Sequence, residues 1–245
     1  MTRTTEPTPA WPPSLRGKAI VVTGGSGALG TALGEALLNA GAQVALIDKA
    51  SAPLTDPPNI PASRLHLADV DLCDADSTRG AFQTAVAHFG KLDALVNLAG
   101  GFEWESVASG DFATWQRLFD MNLRTALIAS QAILPHLLER RSGRIVNVGS
   151  LGAVQAERGM GAYAASKAAV ARLTEALAAE VKDQGVTVNA ILPGVIDTPG
   201  NRRSMPDADR RHWLAPDSVA HVVMFLLSDA AAAVTGALVP IKGSA

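Results

Sequence analysis

A β-branched run, Lys18-Ala-Ile-Val-Val-Thr23, passes directly into Gly24-Gly-Ser-Gly-Ala-Leu-Gly30. Unbroken apolar residues of this kind suit a strand buried on both faces. An amphipathic stretch from Thr31 to Asn39 follows and ends at Gly41, the residue type expected just past a helix. Gln43 to Ile47 predicts a second apolar strand, closing on Asp48. Strand, glycine turn, helix and strand in succession make a unit that calls for a parallel sheet with helices on both faces.

Within the turn, Gly25-x-Gly27-x-x-Gly30 has the spacing that permits a tight turn, close approach of a pyrophosphate and close helix–strand packing. Amides at the start of the helix supply the anion site. Gly24, Ser26, Gly27, Leu29 and Gly30 are therefore candidate cofactor-binding positions. At the end of the next strand, Asp48 can accept hydrogen bonds from both ribose hydroxyls of a dinucleotide and would repel a 2′-phosphate. That favours NAD(H), while the neighbouring Lys49 keeps NADP(H) open.

Downstream, Leu65 to Ala68 predicts a third strand leading to Asp71 and Leu72, which either flank an adenine or cap the following helix, about Ala75 to Phe89. Leu92 to Asn97 reads as a fourth strand, and its end, Asn97-Leu-Ala-Gly100-Gly101, carries the small residues found where such sheets bind ligands. From Asp111 to about Arg140 apolar residues recur at helical spacing, predicting one long helix kinked by Pro135 and ended by Ser142-Gly143. Asn122, a poor helix former, lies in its middle. Arg144 to Val148 is a fifth strand with Ser150 just beyond it, and Gly159 to Lys182 a helix with Gly185 after its end. Val186 to Leu192 is a sixth strand, Gly200 to Trp213 a mobile flap, Pro216 to Leu227 a helix and Ala237 to Ile241 a last strand. Met1 to Arg16, rich in Thr and Pro, reads as a flexible tail, and Pro53 to Pro61 as a loop.

Tyr163 and Lys167 would lie one turn apart on the same face of the helix that carries them. A nearby ammonium favours the phenolate, so Tyr163, the only tyrosine in the chain, is expected to titrate well below its reference pKa. Taken alone, the pair reads more readily as a packed tyrosine beside a snorkelling lysine, and the rest of the chain has to decide.

Several function classes drop out on bulk grounds. Among 245 residues the formal net charge is -2, which gives no reason to expect a nucleic-acid surface. Cys73 is the only cysteine, so no intrachain disulfide can form, and the five histidines show no metal-ligand spacing. No catalytic metal is expected. No apolar run approaches the roughly 18 residues of a membrane span. A cytoplasmic protein is expected. Short basic pairs, Arg202-Arg203 and Arg210-Arg211, would be solvated surface or would meet an anionic substrate.

Taken together, Ser150, Tyr163-x-x-x-Lys167, Asn97-x-Ala-Gly100, Asn122 and Val188-Asn-Ala-Ile-Leu-Pro-Gly-Val-Ile-Asp-Thr-Pro199 resemble the short-chain dehydrogenase/reductase (SDR) family, in order, from Lys18 to Pro240. The resemblance implies that Tyr163 is the general acid/base, that Ser150 holds the substrate oxygen, and that Lys167 tunes Tyr163 and binds the nicotinamide ribose. It further implies that Asn122 holds a proton-relay water, that Asn97, Ala99 and Gly100 line the cofactor, and that Pro193, Gly194, Ile196 and Thr198 meet its nicotinamide end. Three positions depart from the family pattern. Ala28 stands where a glycine is usual, Leu98 replaces a frequent Asn, and Val239-Pro-Ile-Lys-Gly243 lacks the common D-G-G.

The expectation is a single Rossmann-type, doubly wound α/β domain from residue 17 to 245, with a parallel sheet of about seven strands. It would interconvert a secondary alcohol and a ketone with NAD(P), as a homotetramer or otherwise a dimer. Rival readings are a catalytically silent dinucleotide-binding regulator and a sugar-nucleotide epimerase or dehydratase. Phe102, Val154, Met160, Met205 and Trp213 are candidates for the substrate pocket.

Overall fold

The structure is a computed structural model that describes residues 13–50 and 61–243. Most of the expected tail, and nearly all of the proline-rich loop, lie outside these residues. Seven parallel strands form one sheet in the order β3-β2-β1-β4-β5-β6-β7. They are β1 (Ala19–Thr23), β2 (Gln43–Ile47), β3 (Arg64–Leu67), β4 (Ala94–Asn97), β5 (Gly143–Val148), β6 (Val186–Pro193) and β7 (Leu238–Ile241). The helices are α1 (Ala28–Asn39), α2 (Ala75–Phe89), α3 (Phe112–Phe119), α4 (Thr125–Glu139), α5 (Gly161–Val181), α6 (Pro199–Ser204) and α7 (Pro216–Leu227).

Both sheet faces are covered, as the continuous apolar strands require. Ile20 and Val22 of β1 pack with Leu33 and Leu37 of α1 and Val223 and Leu227 of α7. Ala19 and Val21, pointing the other way, join Phe82 of α2, Ile133 and Leu137 of α4 and Leu177 of α5. Leu15, inside the expected tail, is fully buried in the first cluster, and its amide donates to Ala40 O. The packed body therefore starts before Gly17.

Strand order reverses between β1 and β4, so the chain leaves these two strands in opposite directions and opens a crevice at their carboxyl ends. The Thr23 hydroxyl seals the bottom of that crevice by accepting from the amides of Leu98 and Ala99.

Two expectations for the long helix need correction. It is not continuous α-helix: residues Asp120–Arg124 form a π-helical segment between α3 and α4. There the Thr125 amide bonds Asp120 O, one residue further back than an α-helix allows, and the Thr125 hydroxyl takes up the Met121 carbonyl at 2.8 Å. The irregularity thus centres on Asn122, while α4 runs unbroken across Pro135. Nor does Ser142-Gly143 end the helix. Arg141 takes the left-handed turn (φ 47) and Gly143 is already in β5. The expected flap also contains structure, since Thr198 caps α6 by accepting from the Asn201 amide, and Ile196 pairs with Leu214.

Gly185 turns α5 into β6 at φ 76, and a Cβ there would overlap Arg141 O. Gly185→Ala should cost upwards of about 1 kcal/mol, from the left-handed conformation together with the overlap. Urea unfolding should show a lowered midpoint with unchanged slope.

Candidate active site

Every element end that carries a singled-out residue meets at the carboxyl edge of the sheet. The glycine turn lies between β1 and α1. Gly24 (φ 71) sits so close to the next strand's exit that a Cβ would come within 2.9 Å of the Ala99 backbone. A Cβ on Gly25 would meet Leu46 at 2.6 Å, and one on Gly30 would overlap Gly24 O. Gly27 differs: the only neighbour a Cβ would meet is Gly24 O at 3.4 Å, and the residue faces an open groove. A side chain there would fill space at the amino end of α1, where helix amides favour an anion. These residues fit a dinucleotide's pyrophosphate. Leu29, by contrast, buries its side chain in the core.

The groove, about 490 Å³, runs from Gly24 and Gly27 past Asp48, Lys49, Asp71 and Leu72 to Leu98, Ala99 and Gly100. Asp48 accepts from the amide of Ser26 at 2.9 Å and from that of Ala50 at 3.0 Å, which fixes its carboxylate beside the glycine turn. Lys49 forms an ion pair with Asp71 at 3.1 Å. The Cys73 amide and then Lys49 hold the Asp71 carboxyl below the usual carboxylate range. Capping of α2 falls to Asp74, which accepts from the Ser77 amide, so Asp71 and Leu72 are left at the groove. Val70, Cys73, Met121 and Thr125 also line it and were not singled out in the sequence. Their only sequence signal is adjacency to Asp71, Leu72 and Asn122.

Asn97 behaves otherwise than a cofactor-lining residue would. Its side chain is buried and turned into the protein, with Nδ2 within hydrogen-bond distance of Ala126 O, Ser130 Oγ and Asn147 Oδ1. Asn147 in turn donates to Thr174 Oγ1. This network ties β4 and β5 to α4 and α5, and Leu98 takes the place on the groove.

Asn122 is also hydrogen-bonded through both of its side-chain polar atoms. Its Oδ1 accepts from the Gly101 amide at 2.9 Å, and its Nδ2 donates to Gly101 O and to Ser166 Oγ. Ser166 donates onward to Tyr163 O at 2.7 Å. These bonds use both amide hydrogens of Asn122 and one of the two acceptor sites of its Oδ1, and they join the loop after β4 to the helix carrying Tyr163. Gly100 fits between Asn122 and Lys167: a Cβ there would lie 2.5 Å from Asn122 Oδ1 and 3.2 Å from Lys167 Nζ.

Ser150 stands just past β5, and its Oγ accepts from the Gly152 amide at 3.1 Å. Gly152 fits closely beside both Ser150 Oγ and Tyr163. Further along, Pro193 ends β6, the Gly194 amide donates to Ile241 O, and Gly194 faces Leu151 of the turn after Ser150. Ile196 and Thr198 continue from there into α6.

Electrostatics at the Tyr–Lys pair overturn one expectation. Burial raises the Tyr163 pKa, and only a hydrogen bond with Ser150 opposes it. Lys167 is buried, donates to Val148 O at 2.9 Å, and is lowered by desolvation to about 8. The charge argument from helix spacing omitted the cost of taking both groups out of water. An ultraviolet titration of the protein alone should therefore show its single phenol ionising above the reference value. Ser150→Ala should raise it further, and a midpoint below the reference would contradict the burial argument.

Lys167 also sets a pH dependence. Its folded pKa lies below its unfolded value of 10.5, so between about pH 8 and 10.5 the unfolded chain binds more protons and stability rises with pH. Below that window the charged amine destabilises the fold by on the order of 3 kcal/mol. Lys167→Met should be more stable than wild type at neutral pH in urea unfolding, with the difference shrinking through this window.

Comparison with known proteins identifies the family. A short chain dehydrogenase family model matches residues 18–209. The chain is 34% identical over 249 residues to 2-(S)-hydroxypropyl-CoM dehydrogenase 3 of Xanthobacter autotrophicus, covering 94% of this chain and 96% of the relative. It is 33% identical to a protein of the same organism named inactive 2-(S)-hydroxypropyl-CoM dehydrogenase 2, covering 86% and 98%. The crystal structure of levodione reductase superposes with a TM-score of 0.84 at 28% identity, covering 93% of this chain and 97% of that one. Among the described residues no helix is long and apolar enough to cross a membrane, and no group of three or more His, Cys, Asp or Glu is placed to hold a metal. The fold, the paired carboxyl-edge residues and these relatives together place the chain in the short-chain dehydrogenase/reductase family, as an oxidoreductase acting on CH–OH and C=O groups.

Proposed function

We propose that the protein interconverts a secondary alcohol and a ketone using NAD(H) in preference to NADP(H), with Tyr163 as the general acid/base. The convergence of Ser150, Tyr163, Lys167 and Asn122 around Gly100 and Gly152 carries this reading. The nicotinamide supplies or accepts the hydride when bound. Ser150 Oγ and the Tyr163 hydroxyl would hold the substrate oxygen, where charge develops during the reaction. A phenol kept protonated by burial is suited to donate its proton in carbonyl reduction. Lys167, one turn along α5, would bring positive charge and ribose contacts to the same place.

Cofactor preference is read from Asp48, whose carboxylate is locked beside the glycine turn, and from Lys49, whose charge is matched by Asp71. A 2′-phosphate would meet a fixed negative charge. The protein is further read as a single domain, cytoplasmic and homotetrameric, with a dimer as the next possibility. The competing reading, a dinucleotide-binding regulator without activity, draws support from the relative named inactive. A sugar-nucleotide epimerase is disfavoured, because the dehydrogenase relatives match over nearly the whole chain.

A screen of ketones and secondary alcohols, following reduced-nicotinamide absorbance, tests the activity. Turnover should appear and fall by about 10²–10⁴ in kcat for Tyr163→Phe. Cofactor binding without any turnover would favour the regulator. In direct titration NAD(H) should bind at least as tightly as NADP(H), and Asp48→Asn should narrow the gap. A clear NADP(H) preference defeats the Asp48 argument.

A further inference from the structure

Phe102 follows directly on Gly100 and Gly101 in the loop after β4, and its ring meets that of Tyr163 at 4.9 Å between centroids, with 81° between planes. A large apolar ring beside a candidate catalytic residue would ordinarily be packed away, yet Phe102 is 55% exposed. One part of the ring is held against Tyr163, and the rest faces open space at the mouth of the site.

Its position is held from both sides. On the amino side Asn122 grips both the amide and the carbonyl of Gly101. On the carboxyl side Glu103 pairs with Arg117 of α3 at 2.8 Å, the Trp104 indole donates to Arg158 O at 3.0 Å, and the Glu105 amide donates to Gly159 O at 2.9 Å. Gly159 is left-handed (φ 75), and the place its Cβ would occupy is filled by the Trp104 ring. Glu105 then accepts from the Asp111 amide and the Thr114 hydroxyl, fixing the far end of the loop to the start of α3. The backbone on either side of Phe102 is thus held in place while its ring rests on Tyr163, and an aromatic surface positioned in this way binds flat apolar groups at reduced entropic cost.

We propose that Phe102 is a specificity-determining wall of the substrate pocket, selecting carbonyl compounds with a flat aromatic group next to the reacting carbon, and that Trp104 and Gly159 are the residues that position it. This deepens the function proposed above and rests on it for the location of the reacting carbon at Ser150 and Tyr163. A substrate oxygen at those two hydroxyls leaves one substituent of the carbonyl carbon beside the Phe102 ring. An aryl group there gains a ring–ring contact, which an alkyl chain of similar hydrophobicity lacks.

Binding of acetophenone and of 2-hexanone to the NAD⁺-loaded protein, measured by ligand-observed NMR, tests the wall without requiring turnover. Wild type should bind acetophenone roughly five- to ten-fold more tightly than 2-hexanone. Phe102→Ala should bring that ratio close to one, and Phe102→Leu, which keeps apolar bulk without a ring, should do nearly the same if the alanine variant folds poorly. Gly159→Ala should reduce the ratio with Phe102 intact, because its methyl group displaces Trp104. Equal binding of the two ketones by wild type, or an unchanged ratio in both Phe102 variants, overturns the proposal. Retention of the aryl preference in a protein that turns over no alcohol or ketone supports the wall and defeats the proposed activity; turnover without the preference does the reverse.

Discussion

Asn97, Asn122 and Asn147 are all buried, and a buried amide left without partners costs about 1–3 kcal/mol. Meeting most of that demand fixes the working edge of the sheet, with the Asn97 Oδ1 alone among these side-chain atoms left without a partner. Asn97 and Asn147 bond to each other and to side chains of α4 and α5, which sets those helices against β4 and β5. Asn122 then reaches from the π-helical segment to Gly101 and to Ser166, and Ser166 to the Tyr163 carbonyl. An unbroken chain of polar contacts therefore runs from the loop after β4 to the helix that carries Tyr163. Phe102 on one side and Tyr163 on the other inherit their positions from it.

Placing the reactive groups in such a dry environment works against their charged forms. Lys167 is held well below its usual pKa and Tyr163 above its own, both by loss of solvent, with Val148 O and Ser150 as partial compensation. Stability is given up here at neutral pH, a common feature of sites arranged for chemistry. The dinucleotide groove is the opposite case. Asp48 and Asp71 lie nearer solvent, where backbone amides and Lys49 hold their carboxylates in place.

Much of this architecture was readable from local pattern. The boundaries of α2 and α7 fall where the sequence puts them, with Pro216 opening α7, and β1 and β2 fall on the apolar runs read as strands. Errors came where a long-range contact overrode a local signal. Apolar residues are so dense from Trp115 to Leu137 that one extra residue in the helix leaves the spacing unchanged to the eye, so the π-helical segment was invisible and Pro135 drew the attention instead. Leu15 read as tail because a single apolar residue among prolines has no periodicity, and only α1 and its Ala40 carbonyl make it core. The family resemblance put Asn97 at the cofactor together with Ala99 and Gly100, whereas its side chain is turned into the protein.

By itself, the sequence determined the doubly wound fold and the glycine turn with Asp48 across from it, because strand and helix periods and glycine spacing are local properties, and its resemblance to a family supplied the candidates for the chemistry. What only the tertiary structure decided is how those residues behave. Burial is a property of the whole packed body, and it reversed the expected direction of the Tyr163 pKa. Hydrogen-bond partners distant in sequence turned Asn97 inward and gave Asn122 to Gly101 and Ser166. Contact between Phe102 and Tyr163, sixty-one positions apart in the sequence, exists only because Asn122, Trp104 and Gly159 close the loop over α5.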